Sequence, residues 1–270
     1  MDNRPIGVFD SGLGGLTAVK ELLKIMPNEN IIYFGDTGRV PYGSRSRETI
    51  QKYARQDAAF LKSHDVKMII AACGTVSSVA EDLGESLGMP FTGVLKPTAA
   101  AAAAASRNKR IGVIGTTATI RSGSYQRELA AIDPAIQVIA QDCPLFVPLV
   151  ENGFIAQDEE VTRLVAERYL LPLKNQEVDT LILGCTHYPI IQHIIGKVIG
   201  SEVTLIDSGR ETALSCAELL ESKDLLCSGE SGGDCSFFVS DRTDSFSALA
   251  GVFLGRDIKR DVSQIDINNY

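Results

Sequence analysis

At 270 residues the chain is long enough for one large domain or two moderate ones. Its 44% hydrophobic and 22% charged residues fit a soluble globular protein, and a formal net charge of −8 argues against sequence-independent nucleic-acid binding, which needs a basic surface. An acidic whole still permits an anionic small substrate, because a pocket can be locally positive. Met1-Asp2-Asn3-Arg4-Pro5 runs straight into a short apolar segment with no basic leader, and no apolar run reaches a membrane span. The alanines 99 to 105 come closest, ended by Ser106, Arg107 and Asn108. The expectation is a cytoplasmic protein with no membrane partner. Its six cysteines are then reduced, and without a CxxC pair no metal site is expected.

In chain order, an apolar run over Ile6–Asp10 reads as a strand and Leu16–Met26, apolar at Leu16, Val19, Leu22, Leu23 and Met26, as a helix. A strand over Ile31–Gly35 and a helix over Arg47–His64 follow, then strands at Met68–Ala72, Phe91–Leu95, Ile111–Gly115 and Ile136–Ala140. A helix is expected at Glu159–Leu171, and strands at Thr180–Gly184 and Val203–Asp207. Apolar strands alternating with helices give an α/β class with mainly parallel sheets covered on both faces. Glu221–Ser236, with Ser228-Gly229-Glu230-Ser231-Gly232-Gly233, reads as a mobile surface loop, and the polar stretch from about Asp257 as a fraying end.

The strands contain a repeat. From Gly7 the landmarks Asp36, Cys73 and Val94 follow in steps of 29, 37 and 21; from Gly112, Asp142, Cys185 and Leu205 follow in steps of 30, 43 and 20. Each cysteine lies seven residues after a valine, Val66 or Val178, directly past an apolar run. The repeat implies two similar, pseudo-symmetric α/β domains. The first is residues 1–97 plus 208–270 and the second residues 98–207, with the active site in the cleft between them.

Ligands of parallel α/β sheets bind beyond the carboxyl ends of the strands. The residues there include Asp10-Ser11, Asp36-Thr37, Cys73-Gly74-Thr75, Thr116-Thr117, Cys185-Thr186-His187 and Asp207-Ser208. Two thiols at equivalent positions, facing one cleft, suit inversion at a carbon: one takes a proton and the other returns one to the opposite face. A lone cytosolic cysteine is usually a small buried hydrophobe; the paired placement of Cys73 and Cys185 is what points to chemistry. His187, two residues past Cys185, polarises it or is structural. Asp10 assists a thiol or caps a helix, and Glu151 assists or is merely exposed. Cys143, Cys216, Cys227 and Cys235 are taken as structural. Gly12-Leu13-Gly14-Gly15 lacks the spacing of a phosphate loop and reads as a tight turn into a helix.

Three segments carry a resemblance. Phe9-Asp10-Ser11-Gly12-Leu13-Gly14-Gly15-Leu16-Thr17, Tyr33-Phe34-Gly35-Asp36-Thr37 with Val40-Pro41-Tyr42-Gly43-Ser44, and Gly184-Cys185-Thr186-His187-Tyr188-Pro189 resemble the signatures of the glutamate racemase family, part of the aspartate/glutamate racemase superfamily. The resemblance runs from Ile6 to about Leu254. It implies cofactor-independent interconversion of L- and D-glutamate for peptidoglycan synthesis, with Cys73 and Cys185 as the acid/base pair. Asp10, Glu151 and His187 would assist. Substrate contacts would come from Asp10, Ser11, Pro41, Tyr42, Gly43, Ser44, Gly74, Thr75, Thr117, Thr186 and His187, and a homodimer is implied. Two positions depart from the pattern: Gly74 stands where members usually carry Asn, and Lys96 where an acidic residue usually precedes proline. Alternatives are a superfamily relative acting on aspartate or another amino acid, or a non-catalytic ligand-binding relative. A one-cysteine decarboxylase would not need Cys185.

Overall fold

The computed structural model describes residues 1–80, 82–229, 232–255, 258 and 261–270. The first half of the chain runs β1 (Ile6–Asp10), α1 (Leu16–Ile25), β2 (Ile31–Gly35), α2 (Arg47–Lys62), β3 (Met68–Ala71), α3 (Gly74–Val79), α4 (Leu83–Leu87) and β4 (Phe91–Gly93). The second continues with α5 (Leu95–Ala105), β5 (Arg110–Gly115), α6 (Thr117–Ser122), α7 (Ser124–Ile132), β6 (Gln137–Asp142), α8 (Phe146–Glu151), α9 (Glu160–Asn175), β7 (Thr180–Leu183), α10 (Gln192–Ile199) and β8 (Thr204–Asp207). The chain ends with α11 (Ser208–Ser222), β9 (Cys235–Val239), α12 (Thr243–Leu254) and β10 (Val262–Gln264).

Two parallel sheets result, ordered β10-β9-β2-β1-β3-β4 and β6-β5-β7-β8. Within β2-β1-β3-β4 and β6-β5-β7-β8 the order is the same, so the repeat in the sequence is a repeat in topology. Its physical core is a pair of glycines. A Cβ at Gly7 would stand 3.2 Å from both Leu61 and Val66; one at Gly112 would stand 2.6 Å from Leu173 and 3.5 Å from Val178. In each half the same arrangement, a leucine near the end of a helix and a valine before the cysteine strand, presses closely onto a glycine of the central strand.

Burial drives the strands. Ile6, Val8, Phe9, Phe34, Ile69 and Ile70 of the first sheet and Ile111, Ile114, Leu181 and Ile182 of the second are fully buried or nearly so, each contributing about 1.5–3 kcal/mol on leaving water. The helix starts are fixed by side chains: Ser46 accepts from Thr49 N–H, Thr116 from Thr119 N–H, and Asp207 from Gly209 and Arg210 N–H. Asp207 is therefore a helix cap.

Several expectations need correction. The strand expected at Phe91–Leu95 stops at Gly93, and Leu95 already packs with Ile111, Val113 and Ile182 of the second sheet. The crossing thus runs through the first turn of α5, which contains Pro97. Helix α9 runs through Pro172 to Asn175, because Leu170 and Leu173 are both buried and hold its last turn. Glu221–Ser236 is fastened rather than mobile where it is described: Cys227 N–H donates to Glu29 Oε1 at 2.7 Å, Gly233 N–H donates to Pro27 O at 2.9 Å, and Cys235 opens β9. Glu230 and Ser231 of that stretch lie outside the described residues. So does Asp257, the expected start of fraying; beyond it, β10 pairs with β9 and Ile267 is buried. Among the described residues no helix is long and apolar enough to cross a membrane.

Candidate active site

A cavity of about 940 Å³ opens where the two sheets' carboxyl ends meet. The first half supplies Ser11, Pro41, Tyr42, Gly43, Ser44, Cys73, Gly74 and Thr75; the second supplies Thr116, Thr117, Glu151, Cys185, Thr186 and His187. Every site residue expected from the sequence is on this wall except Asp10. Asp10 lies behind Ser11 at the end of β1, 1% exposed, where its Oδ2 accepts from Gly12 N–H at 2.9 Å. Its other oxygen has no hydrogen-bond partner. Burial pushes the carboxyl up, opposed by the charge of His187 and by backbone N–H groups.

The two cysteines have different surroundings. Cys73 precedes α3 and its Sγ lies 3.6 Å from Ser11 Oγ. Burial, reinforced by the negative charge of Asp10, pushes this thiol up to about 12, so its resting form is S–H. Cys185, just past β7, lies 3.8 Å from His187 Nδ1, and His187 Nε2 lies 3.0 Å from Glu151 Oε1. Burial alone would lower the His187 pKa, but hydrogen bonds and charge from Cys185 and Glu151 outweigh it and bring it to about 10. An imidazolium beside a sulfur is the partner a thiolate needs. The cavity thus holds a lone thiol beside Ser11 on one side and a Cys185–His187–Glu151 hydrogen-bonded chain on the other.

Close backbone approaches lock these loops together. A Cβ at Gly14 would meet Thr186 Oγ1 at 2.3 Å and His187 Nδ1 at 2.5 Å; one at Gly74 would meet the Gly184 carbonyl at 2.4 Å. Thr17 Oγ1 lies 3.0 Å from Thr186 O, a hydrogen bond between the halves, and Thr75 Oγ1 stands 3.0 Å from Thr116 Oγ1. Of the two departures in the sequence, Gly74 therefore sits at the meeting of the cysteine loops, whereas Lys96 is exposed on α5 and off the cavity wall.

The wall also includes Arg45, Arg47, Arg121 and Arg127, with Val79, Val147 and Pro148. Sequence reasoning missed these. Thr116, by contrast, stands among the strand-end residues named from the sequence; exposed arginines leave no periodic signal. The remaining cysteines are off the wall. Cys143 and Cys216 are buried, with thiols pushed up by burial, and Cys227 and Cys235 are partly exposed; all six are free. No group of three or more metal-ligating side chains gathers among the described residues.

Residues 14–216 match the family model described as Asp/Glu/Hydantoin racemase. The chain belongs to this family. It is 46% identical over 265 residues to a glutamate racemase of Geobacter metallireducens, covering 98% of this chain and 97% of that one. It is 48% identical over 256 residues to a glutamate racemase of Chlorobaculum tepidum, covering 94% and 93%. Among solved structures, the glutamate racemase of Francisella tularensis in complex with D-glutamate superposes with a TM-score of 0.92 at 40% identity, over 100% of both chains. This racemase-family chain therefore carries its cavity at the meeting of two parallel sheets in a fold that such relatives share along their whole length.

Proposed function

We propose that the chain interconverts L- and D-glutamate, with Cys73 and Cys185 as the proton-transferring pair, and that it supplies D-glutamate for peptidoglycan synthesis. The observation that carries the reading is that both thiols line one cavity, each with its own carboxylate: Asp10 behind Cys73, and Glu151 through His187 behind Cys185. The relatives named above, including one with D-glutamate bound, support glutamate as the substrate.

In one direction Cys185, reacting as a thiolate beside the His187 imidazolium, takes the α-proton, and the α-carbon flattens into a carbanion. Cys73 then gives its proton to the other face, leaving a thiolate that Asp10, itself shifted toward the protonated form, can neutralise. Return of the protons through the assisting groups resets the pair. The reverse direction exchanges the roles. No metal or organic cofactor is needed in this scheme. Ser11, Thr75, Thr117, Thr186 and the Pro41–Ser44 segment would hold the ammonium and carboxylates, in lobes formed by residues 1–97 with 208–270 and by residues 98–207. An acidic protein admits a doubly carboxylated substrate here because the wall carries four arginines and one glutamate.

The test is α-proton exchange with solvent deuterium, using purified protein and each enantiomer of glutamate and aspartate. Exchange and inversion of glutamate are expected, and Cys73→Ala and Cys185→Ala should each abolish inversion. Inversion of aspartate alone would reassign the substrate, and an unimpaired single-cysteine variant would eliminate the two-thiol scheme.

A further inference from the structure

Behind the cavity wall lies a buried polar cluster that the proton-transfer scheme does not use. Asp36, at the end of β2, and Asp57, in the middle of α2, are both fully buried. One cation serves both: Arg39 donates from Nε to Asp36 Oδ2 at 2.5 Å and from Nη2 to Asp57 Oδ1 at 2.9 Å. Its third nitrogen donates to Gln56 Oε1 at 2.6 Å, and its guanidinium lies 4.1 Å from the centre of the Tyr53 ring. Between the carboxyls stands the hydroxyl of Tyr42, in contact with Asp36 Oδ2 and 3.1 Å from Asp57 Oδ2. Tyr42 belongs to the Pro41–Ser44 segment of the wall, and this commitment turns its hydroxyl away from any ligand.

Counting protons decides how the cluster works. A phenol has one proton, so it can donate to only one of the two carboxyls. Asp36 accepts from Arg39, from Tyr42 and from Ser240 Oγ at 2.7 Å, three donors that suit an ionised carboxylate. Asp57 has Arg39 alone, and its contact with Tyr42 needs a proton that the phenol has already given to Asp36. Counting charge gives the same answer. Two carboxylates against one guanidinium would leave a buried charge unpaired, which proteins avoid by neutralising the group. The groups acting on Asp57 are Asp36, Arg39, Tyr42 and, from β1, Asp10, while Gln56 and Tyr53 of its own helix contact Arg39. Burial and the charge of Asp36 push its carboxyl well above the usual range.

We infer that Asp57 is protonated and donates to Tyr42, so that an Asp57–Tyr42–Asp36 chain, clamped by Arg39, positions the Pro41–Ser44 wall of the cavity. Asp57 is a positioning residue: it touches no ligand and acts through Tyr42. The wall it holds meets the other half directly, since a Cβ at Gly43 would lie 2.9 Å from Thr116.

The kinetic arm of the test rests on the glutamate reading; the spectroscopic arm does not. Asparagine presents the same pattern as a protonated carboxyl, an N–H toward Tyr42 and an oxygen toward Arg39. Asp57→Asn should therefore keep KM and kcat for glutamate within about twofold, whereas Asp57→Ala and Tyr42→Phe should raise KM about five- to tenfold with kcat little changed. In the infrared difference between wild type and Asp57→Asn, a protonated-carboxyl C=O band should be present in the wild type at neutral pH. Absence of that band, or Asp57→Asn as impaired as Asp57→Ala, would overturn the protonated assignment. An unchanged KM in both Asp57→Ala and Tyr42→Phe would overturn the positioning role. Infrared needs no turnover, so a failed glutamate assignment would leave that arm intact.

Discussion

Gly14→Ala tests the claim that the glycine turn after β1 sets the position of the His187 loop. The new methyl would stand 2.5 Å from His187 Nδ1 and 2.3 Å from Thr186 Oγ1. The threonine hydroxyl can rotate, but the imidazole cannot yield cheaply: it is 5% exposed, sits against Cys185 and holds Glu151 at 3.0 Å. To reach an ordinary contact of about 3.5 Å the ring must retreat about 1 Å. The Cys185 Sγ to Nδ1 separation is already 3.8 Å, so such a retreat removes the contact. Overpacking should cost about 1–3 kcal/mol of stability, and a misplacement of about 1 Å should cost about a hundredfold in kcat. Circular dichroism of glutamate inversion and urea unfolding of the same preparation measure both. Inversion within twofold of wild type, with an unchanged unfolding midpoint, would refute the packing argument.

Glu151→Gln removes the carboxylate that supports the His187 imidazolium. The His187 pKa in the fold, about 10, lies above its ordinary 6.5. The stabilisation is therefore fully present below about pH 6.5 and is lost as pH rises through about 10. With glutamine the imidazole should titrate at lower pH, and melting temperature should fall less between pH 7 and 10. The effect should be about 1 kcal/mol because Glu151 is a third exposed; an NMR titration unchanged from wild type would contradict it. The arginines on the wall predict that kcat/KM for glutamate falls several-fold as ionic strength rises to about 0.5 M, where screening is strong. Arg45→Gln with Arg47→Gln should flatten that dependence, and a salt-independent wild type would count against the steering role. Lys67, fully buried, meets Glu29 Oε2 at 2.5 Å and donates to the Asp2 and Leu225 carbonyls. Lys67→Met should destabilise by about 3–5 kcal/mol in denaturant unfolding, and pairing it with Glu29→Gln should restore part of the loss.

Much of this was legible because parallel α/β folds place chemistry at strand ends. The eight strands read from apolar runs all exist, with ends shifted by a residue or two, and the landmarks Gly7, Asp36 and Cys73 against Gly112, Asp142 and Cys185 correspond in topology. Strand β9 was missed because Cys235-Ser236 borders a Gly/Ser-rich stretch, and its identity comes from pairing with β2 rather than from local pattern. Strand β10 and Ile267 are likewise specified by tertiary contact. Asp10, expected among the assisting and substrate-contacting residues, lies behind the wall, because a strand-end position says nothing about depth. Asp57 gave no signal, since one acidic residue within an amphipathic helix resembles any solvated one until Arg39 and Tyr42 fold over it.

The hydroxyls of Thr75 and Thr116 give the cleft a weak latch. They join the halves by one neutral hydrogen bond, which water can replace at a net cost of about 1 kcal/mol. Beside it Gly43 presses on Thr116 and Gly74 on the Gly184 carbonyl, so this edge of the cleft is held by close packing more than by hydrogen bonding.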